Sequence, residues 1–222
     1  MEELVIELRD LAFAYPRGGF ELRVHELGVA EGEGVALVGP SGCGKTTLLH
    51  LMAGILVPAD GTVVVDGVEL SELGHEDRQD FRALSVGLVF QEFELLEYLD
   101  VLDNVLLPYR VSPALALDGA ARQRAVELVE QVGLAGKKTS FPRQLSQGER
   151  QRVAVCRSLV TRPKVLFGDE PTANLDADNR DHVMDTLFRY TEEQRAPLVV
   201  VTHDRELRDR FDTLLDVREL AP

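Results

Sequence analysis

The chain has 222 residues, 45% hydrophobic and 28% charged, enough for one large domain or two small ones whose core needs no disulfide or metal. Its formal charge of −14, from 24 basic and 38 acidic residues, argues against non-specific nucleic-acid binding, which needs a positive field. Cys43 and Cys156 stand alone, which argues against a disulfide framework or zinc site, and no apolar run approaches the roughly 20 residues that span a bilayer. The acidic start "MEELVIELRD" is unlike a secretory signal, so the expected location is the cytosol.

In chain order, "LVIELRDLAFAY" and "FELRVHEL" (within 4–29) and "GTVVVDGVEL" (near 60–70) predict short strands with turn glycines, a small antiparallel layer. Between and after them lie "GVALVG" (34–39), "KVLFGDE" (164–170) and "LVVVTHD" (198–204). Each is strand-length and apolar on both faces, the pattern of buried parallel strands. The middle, about 92–162, reads as mostly helical. There Asp118 caps a helix whose Ala121, Ala125, Leu128 and Val132 share a face, with Gly133 as its stop. A further helix near 179–195 carries Val183, Met184, Leu187 and Phe188 in the same spacing. The expected architecture is one α/β unit over 1–222, with a parallel core, a β layer and an inserted helical lobe.

The chemistry gathers where the apolar runs end, the edge at which parallel sheets collect ligands. Gly39-Pro40-Ser41-Gly42-Cys43-Gly44-Lys45-Thr46, followed by Thr47, matches G-x-x-x-x-G-K-[ST]. Its glycines let successive amides face phosphate oxygens, Lys45 adds a positive charge, and Thr46 offers Mg²⁺ a hydroxyl. The second run ends in Asp169, suited to the water shell of Mg²⁺, and Glu170, suited to polarising an attacking water; the bland alternative is that both acids cap a turn. The third ends in His203, which either steadies a phosphate or attacking water or is a structural end group. Gln91 closes a fourth strand-like stretch, "SVGLVFQ", as a metal-water ligand or an ordinary polar terminus. Tyr15 either stacks on a base or packs within the β layer. Finally "LSQGERQRV" (145–153) has a capping-box start, Ser146 with Glu149, yet places Gly148 in the first turn, where glycine costs about 1 kcal/mol relative to alanine. Something must approach that backbone closely.

Taken together, these pieces resemble the ATP-binding subunit of ABC transporters, over nearly the whole chain. The P-loop Gly39–Thr47, the Q-loop Gln91, the signature "LSQGE" (145–149), the Walker-B run "VLFGDE", the D-loop "NLD" (174–176) and the switch His203 follow that family's order. The resemblance implies a P-loop NTPase core with a helical signature lobe. It also implies ATP and Mg²⁺ as ligands and hydrolysis of ATP, with Thr46, Gln91 and Asp169 around the metal and Glu170 and His203 as catalytic groups. Two copies would pack head to tail, Ser146, Gln147, Gly148 and Glu149 of one closing on the nucleotide at the other's P-loop, with Asp176 of the D-loop in the nucleotide set. Glycine at 148 would then serve the γ-phosphate of a neighbour. The family also implies an integral-membrane partner docking near 91–108, and hence a peripheral position on the inner membrane face. Phe93, Leu95, Leu96, Tyr98 and Leu99 would form an apolar floor there, with Glu92, Glu94 and Glu97 as an acidic rim.

Within the family, "VGLVFQEFELLEYLDVLDNV" and "GDEPTANLD" most resemble the lipoprotein-releasing, macrolide-exporting and cell-division ATPases. Gly168 stands where alanine is usual, Glu97 and Asp100 replace a proline and a threonine, and the end "LLDVRELAP" lacks an Asp-Gly turn. The alternatives are a cell-division-type regulator of cell-wall enzymes and a soluble ABC ATPase acting on DNA or ribosomes. No nucleic-acid partner is expected.

Overall fold

The computed structural model describes residues 3–16, 18–204 and 206–220; Ala221 and Pro222 of the terminal stretch lie outside them. Five short strands form a parallel sheet in the order β6-β7-β8-β3-β9: β3 (Gly34–Val38), β6 (Val86–Val89), β7 (Val165–Asp169), β8 (Leu198–Val201) and β9 (Thr213–Asp216). The three apolar runs are the inner strands β3, β7 and β8, and the reason they are apolar throughout is visible in the packing. Val35, Leu37, Phe167 and Val199 face one core, while Ala36, Leu166, Leu198 and Val200 face a second. Each such buried aliphatic or aromatic side chain stabilises the fold by roughly 1.5–3 kcal/mol. β9 was not foreseen: "TLLD" is half exposed, as an edge strand is, and its four residues carry little pattern.

The first core is closed by an antiparallel sheet, order β2-β1-β4-β5, built from β1 (Leu4–Ala14), β2 (Glu21–Ala30), β4 (Asp60–Val65) and β5 (Val68–Glu69). Ile6, Leu8, Val63 and Val65 alternate inward and pack with Leu48, Leu49 and Met52 of α1 (Lys45–Met52). β1, at 11 residues, is longer than the short strand expected. Helix α2 (His75–Ser85) leads into β6.

The second core joins the sheet to the helical lobe: α3 (Val101–Val105), α4 (Leu107–Val111), α5 (Gly119–Gln131) and α6 (Gln147–Leu159), with α7 (Ala177–Gln194) alongside. Asp118 caps α5, its carboxylate accepting from Ala121 N at 2.8 Å. Ala121, Ala125, Leu128 and Val132 are buried, and Gly133 ends the helix at φ +77°. On α7, Val183, Met184 and Leu187 are buried, whereas Phe188 is only partly so and packs edge-on against Phe211. Among the described residues no helix is long and apolar enough to cross a membrane.

Candidate functional site

β3 delivers the chain to Gly39, and the loop to Gly44 turns it into α1. Gly44 sits before the first helical residue at φ +102°, a left-handed backbone, and a Cβ there would come within 2.6 Å of Phe20. No side chain caps α1, so its first amides are free to face an anion. Lys45 is 6% exposed, and its ammonium lies 3.0 Å from the Gly39 carbonyl and 2.9 Å from that of Pro40. Its charge is thus held over the loop itself. Ser41 and Gly42 are exposed, and Cys43 is a free, partly exposed thiol.

Two neighbouring strands bring the acids to the same edge. β7 ends in Asp169, paired in register with Val201 of β8, and the Thr46 hydroxyl donates to Asp169 Oδ1 at 3.1 Å. Glu170 N donates to Val201 O at 3.0 Å, and Glu170 itself adopts φ +48°. A left-handed backbone at a non-glycine residue is uncommon and clusters at functional sites. It turns the side chain toward His203, whose Nε2 lies 2.9 Å from Glu170 Oε1. Tyr15, Ser41, Gly42, Gly44, Lys45, Thr46, Thr47, Glu170 and His203 all line one open cavity of about 340 Å³.

Tyr15 packs within the β layer and also lines the cavity. Its ring packs edge-on against Phe13, with its hydroxyl 3.2 Å from Thr47 Oγ1, and yet the residue stays 40% exposed at the cavity. Phe20 lines the same cavity beside it and was missed in the sequence. The only local sign is an aromatic directly after Gly18-Gly19.

The signature segment lies elsewhere. Ser146 caps α6, and the capping box is complete: Glu149 N donates to Ser146 Oγ at 3.2 Å and Ser146 N to Glu149 Oε2 at 2.8 Å. Burial alone would raise the Glu149 carboxyl, but Lys137 at 2.6 Å and the Ser146 amide together hold it below the usual range. Gln147 is exposed, whereas Gly148 is buried. A Cβ at 148 would stand 2.1 Å from Asn179 Oδ1, so any side chain here would have to displace Asn179 within its own chain. Asn179 in turn donates to both carboxylate oxygens of Asp176, the cap of α7, and receives a hydrogen bond from Arg152. Hydrogen bonds from the Asn179 backbone and side chain lower the Asp176 pKa.

Gln91 lies two residues beyond β6, exposed, in a groove of about 470 Å³ shared with Gln147, Arg150 and Asn174. The structure brings it to the start of the signature helix rather than into the cavity of Thr46 and Glu170. The acidic run that follows is exposed at Glu92, Glu94 and Glu97, with Asp100 capping α3 through Asp103 N. Asn104, wholly buried, fixes this loop by bonding Leu96 N and the carbonyls of Leu96, Leu99 and Asp100. Phe93 and Leu95 of the expected apolar floor line one groove with Glu92, Glu94 and Glu97, and a second, more apolar groove lies beside it. This groove, of about 490 Å³, is lined by Ile55, Leu88, Phe90, Glu94, and Leu107 and Val111 of α4.

Residues 22–173 match the family described as ABC transporter. The chain is 42% identical over 226 residues to the lipoprotein-releasing system ATP-binding protein LolD of Xanthomonas campestris pv. campestris (strain 8004), covering 98% of this chain and 94% of that one. It is 46% identical over 189 residues to the protein of the same name from Bordetella pertussis (strain Tohama I), covering 85% and 81%. Among solved structures it is similar to the dimeric structure of a post-hydrolysis state of the ATP-binding cassette MJ0796 bound to ADP and Pi, at a TM-score of 0.83 and 31% identity over 96% of this chain and 94% of that one. With the P-loop, strand-end acids and signature helix in this arrangement, the chain belongs to the ABC transporter family.

Proposed function

We propose that this chain is the ATP-hydrolysing subunit of a lipoprotein-releasing type of ABC transporter, working as a head-to-tail pair on the cytoplasmic face of a membrane through an integral-membrane partner. One observation carries the reading. Lys45, the Thr46–Asp169 pair and the Glu170–His203 pair converge on one cavity, while Ser146–Glu149 lies outside it. A single chain thus holds the phosphate-binding and water-activating groups, and a second copy is the natural source of a closing signature helix. The likeness to lipoprotein-releasing ATP-binding proteins supports the cargo class and the membrane partner.

The residues suit the nucleotide. Free amides at the start of α1 and the Lys45 ammonium bind and orient the phosphates, and Tyr15 with Phe20 offers an aromatic wall for the base. The Thr46 hydroxyl and one Asp169 carboxylate oxygen are hard donors set side by side, a set that fits Mg²⁺, which commonly takes one or two carboxylates and completes its shell with water and phosphate oxygens. Gln91 is assigned to the same shell, which requires its loop to turn from the neighbouring groove toward Asp169. When bound, Mg²⁺ neutralises charge developing on the phosphates. Glu170 takes up the proton of the attacking water, and His203, whose Nε2 lies 2.9 Å from Glu170 Oε1, steadies the transition state beside it. Ser146 and the exposed start of α6 close the site on the other copy, and the groove lined by Leu88, Phe90 and Val111 receives the membrane partner.

ATP turnover by wild type and by Lys45→Ala tests the reading. Wild type should hydrolyse Mg-ATP, and Lys45→Ala should lose phosphate release. Equal turnover by the two would place the chemistry elsewhere.

A further inference from the structure

We propose that Gln151 is a positioning residue, tying the turn that carries Glu170 to the signature helix of the same chain, so that engagement of that helix by the other copy's nucleotide is felt at this chain's own P-loop cavity. The inference rests on the head-to-tail reading above. Its basis is a buried amide on α6 that reaches out of its helix to two distant segments.

Gln151 is 1% exposed, and its Nε2 donates to Pro171 O at 2.5 Å and lies 3.5 Å from Phe90 O. Pro171 directly follows Glu170, and Phe90 directly precedes Gln91. One amide therefore bridges the carriers of the candidate base and of the candidate metal ligand. Two carbonyls facing the group fix its orientation, since the oxygen end has no proton to offer them. Its Oε1 is buried with no hydrogen-bond partner, a costly arrangement that an apolar residue of the same shape would avoid. The donor end therefore accounts for an amide here.

The turn it holds is buried at Pro171 and Thr172 and tied to β8 and to itself by backbone hydrogen bonds. Glu170 N bonds to Val201 O of β8 and Ala173 N bonds back to Glu170 O, leaving the Pro171 carbonyl pointing toward α6. With Glu170 at φ +48°, small shifts of this turn re-aim its carboxylate relative to His203. Ser146 and Gln151 lie five residues apart on one helix, about 7.5 Å along its axis. A rigid displacement of α6 at its N-terminus must therefore be passed on to Pro171 and Phe90.

Gln151→Met keeps length and shape and removes the donor. The expected result is a loss of kcat of about 10–100-fold, the scale of an ångström-sized misplacement. KM for ATP should stay within about threefold, and monomer affinity for a fluorescent ATP analogue and the thermal unfolding midpoint should be near wild type. Mixed dimers separate positioning from simple support of α6. Pairing a Gln151→Met chain with a Lys45→Ala chain leaves one working P-loop, with the lesion in the same chain as its Glu170. Pairing a Gln151→Met/Lys45→Ala chain with wild type leaves one working P-loop that meets only the altered signature helix. The proposal expects the loss in the first arrangement, with the second matching the Lys45→Ala/wild-type dimer. Equal losses in both, or loss only in the second, would overturn it, as would a homodimer kcat within threefold of wild type. If the mixed control dimer is inactive, the kcat-against-KM split of the homodimer decides; if Gln151→Met does not fold, Gln151→Asn, whose shorter reach breaks the same bonds, takes its place. Should wild type and Lys45→Ala turn over alike, the ATPase reading fails first, independently of Gln151.

Discussion

The P-loop cavity and the start of the signature helix, the two segments proposed to meet phosphate, are assembled in opposite ways. At the cavity, parallel strands end side by side, so Lys45, Asp169, Glu170 and His203 arrive together from distant parts of the chain. At α6 one short segment makes everything: Ser146 caps, Glu149 reaches back, and Lys137 neutralises the acid. The first gathers Lys45, Thr46, Glu170 and His203 of one chain around a single cavity. The second is already capped within its own chain and lies outside the P-loop cavity. A helix end already rigid and already capped needs no folding step on meeting a second copy, which lowers the entropy cost of closing the dimer.

The largest effect should come from the cavity. Glu170→Gln removes the candidate base while leaving the phosphate-binding loop untouched, and kcat should fall about 10²–10⁴-fold. Gel filtration with Mg-ATP should then show an accumulated dimer. Near-normal hydrolysis by this variant would break the division of labour drawn here.

Gly148→Asp attacks the other region, and the structure sharpens what it tests. The new side chain meets Asn179 within its own chain before it meets any second copy. Overpacking of that kind costs about 1–3 kcal/mol, so the single variant should lose both stability and hydrolysis. Adding Asn179→Ala should return the unfolding midpoint toward wild type without returning ATP turnover. Nucleotide affinity of the monomer should be normal throughout. Mixed with Lys45→Ala chains, the Gly148→Asp, Asn179→Ala chain should give dimers with one working site. Recovery of full homodimer activity by Asn179→Ala would mean that Gly148 serves intrachain packing alone.

A smaller effect is expected on the face between the two regions. Glu94→Lys with Glu97→Lys reverses two exposed carboxylates beside the groove, neither of them assigned to nucleotide. Co-purification with the membrane subunit should weaken, more so at low salt, because exposed charges act mainly through on-rate and are screened within about 8–10 Å at physiological ionic strength. ATPase activity of the free protein should change little. Unchanged assembly at both salts would make the acidic run an ordinary solvated face.

The smallest effect is on stability. The Glu149 carboxyl has a folded pKa below its ordinary 4.5, so its contribution is complete above pH 4.5 and lost as pH falls through the lowered value. Urea midpoints should therefore decline more steeply below pH 4.5 in wild type than in Glu149→Gln, by up to about 1 kcal/mol for a partly exposed pair. Parallel declines would show that the capping box works without the charge.

Much of this was legible in the sequence because it is local. The both-sided apolar runs carry the pattern of buried parallel strands, and Ala121, Ala125, Leu128 and Val132 at helical spacing behind Asp118 that of one buried face, as the structure has them. The glycine–lysine–threonine loop, the strand-end acids and the Ser146–Glu149 box carry their chemistry within a few residues of backbone. What the tertiary structure alone decided involves residues far apart in sequence. Phe20 over Gly44, Asn104 organising the acidic loop, Asn179 packed against Gly148, Gln151 reaching Phe90 and Pro171, and Gln91 turned toward the signature helix belong to this second group. Backbone dihedrals and side-chain periodicity are set by neighbours along the chain, so a motif can be read before it is folded. The partner of a buried amide or ring is set by which segments the packed sheet and helices bring within a few ångströms, and that follows from the whole fold.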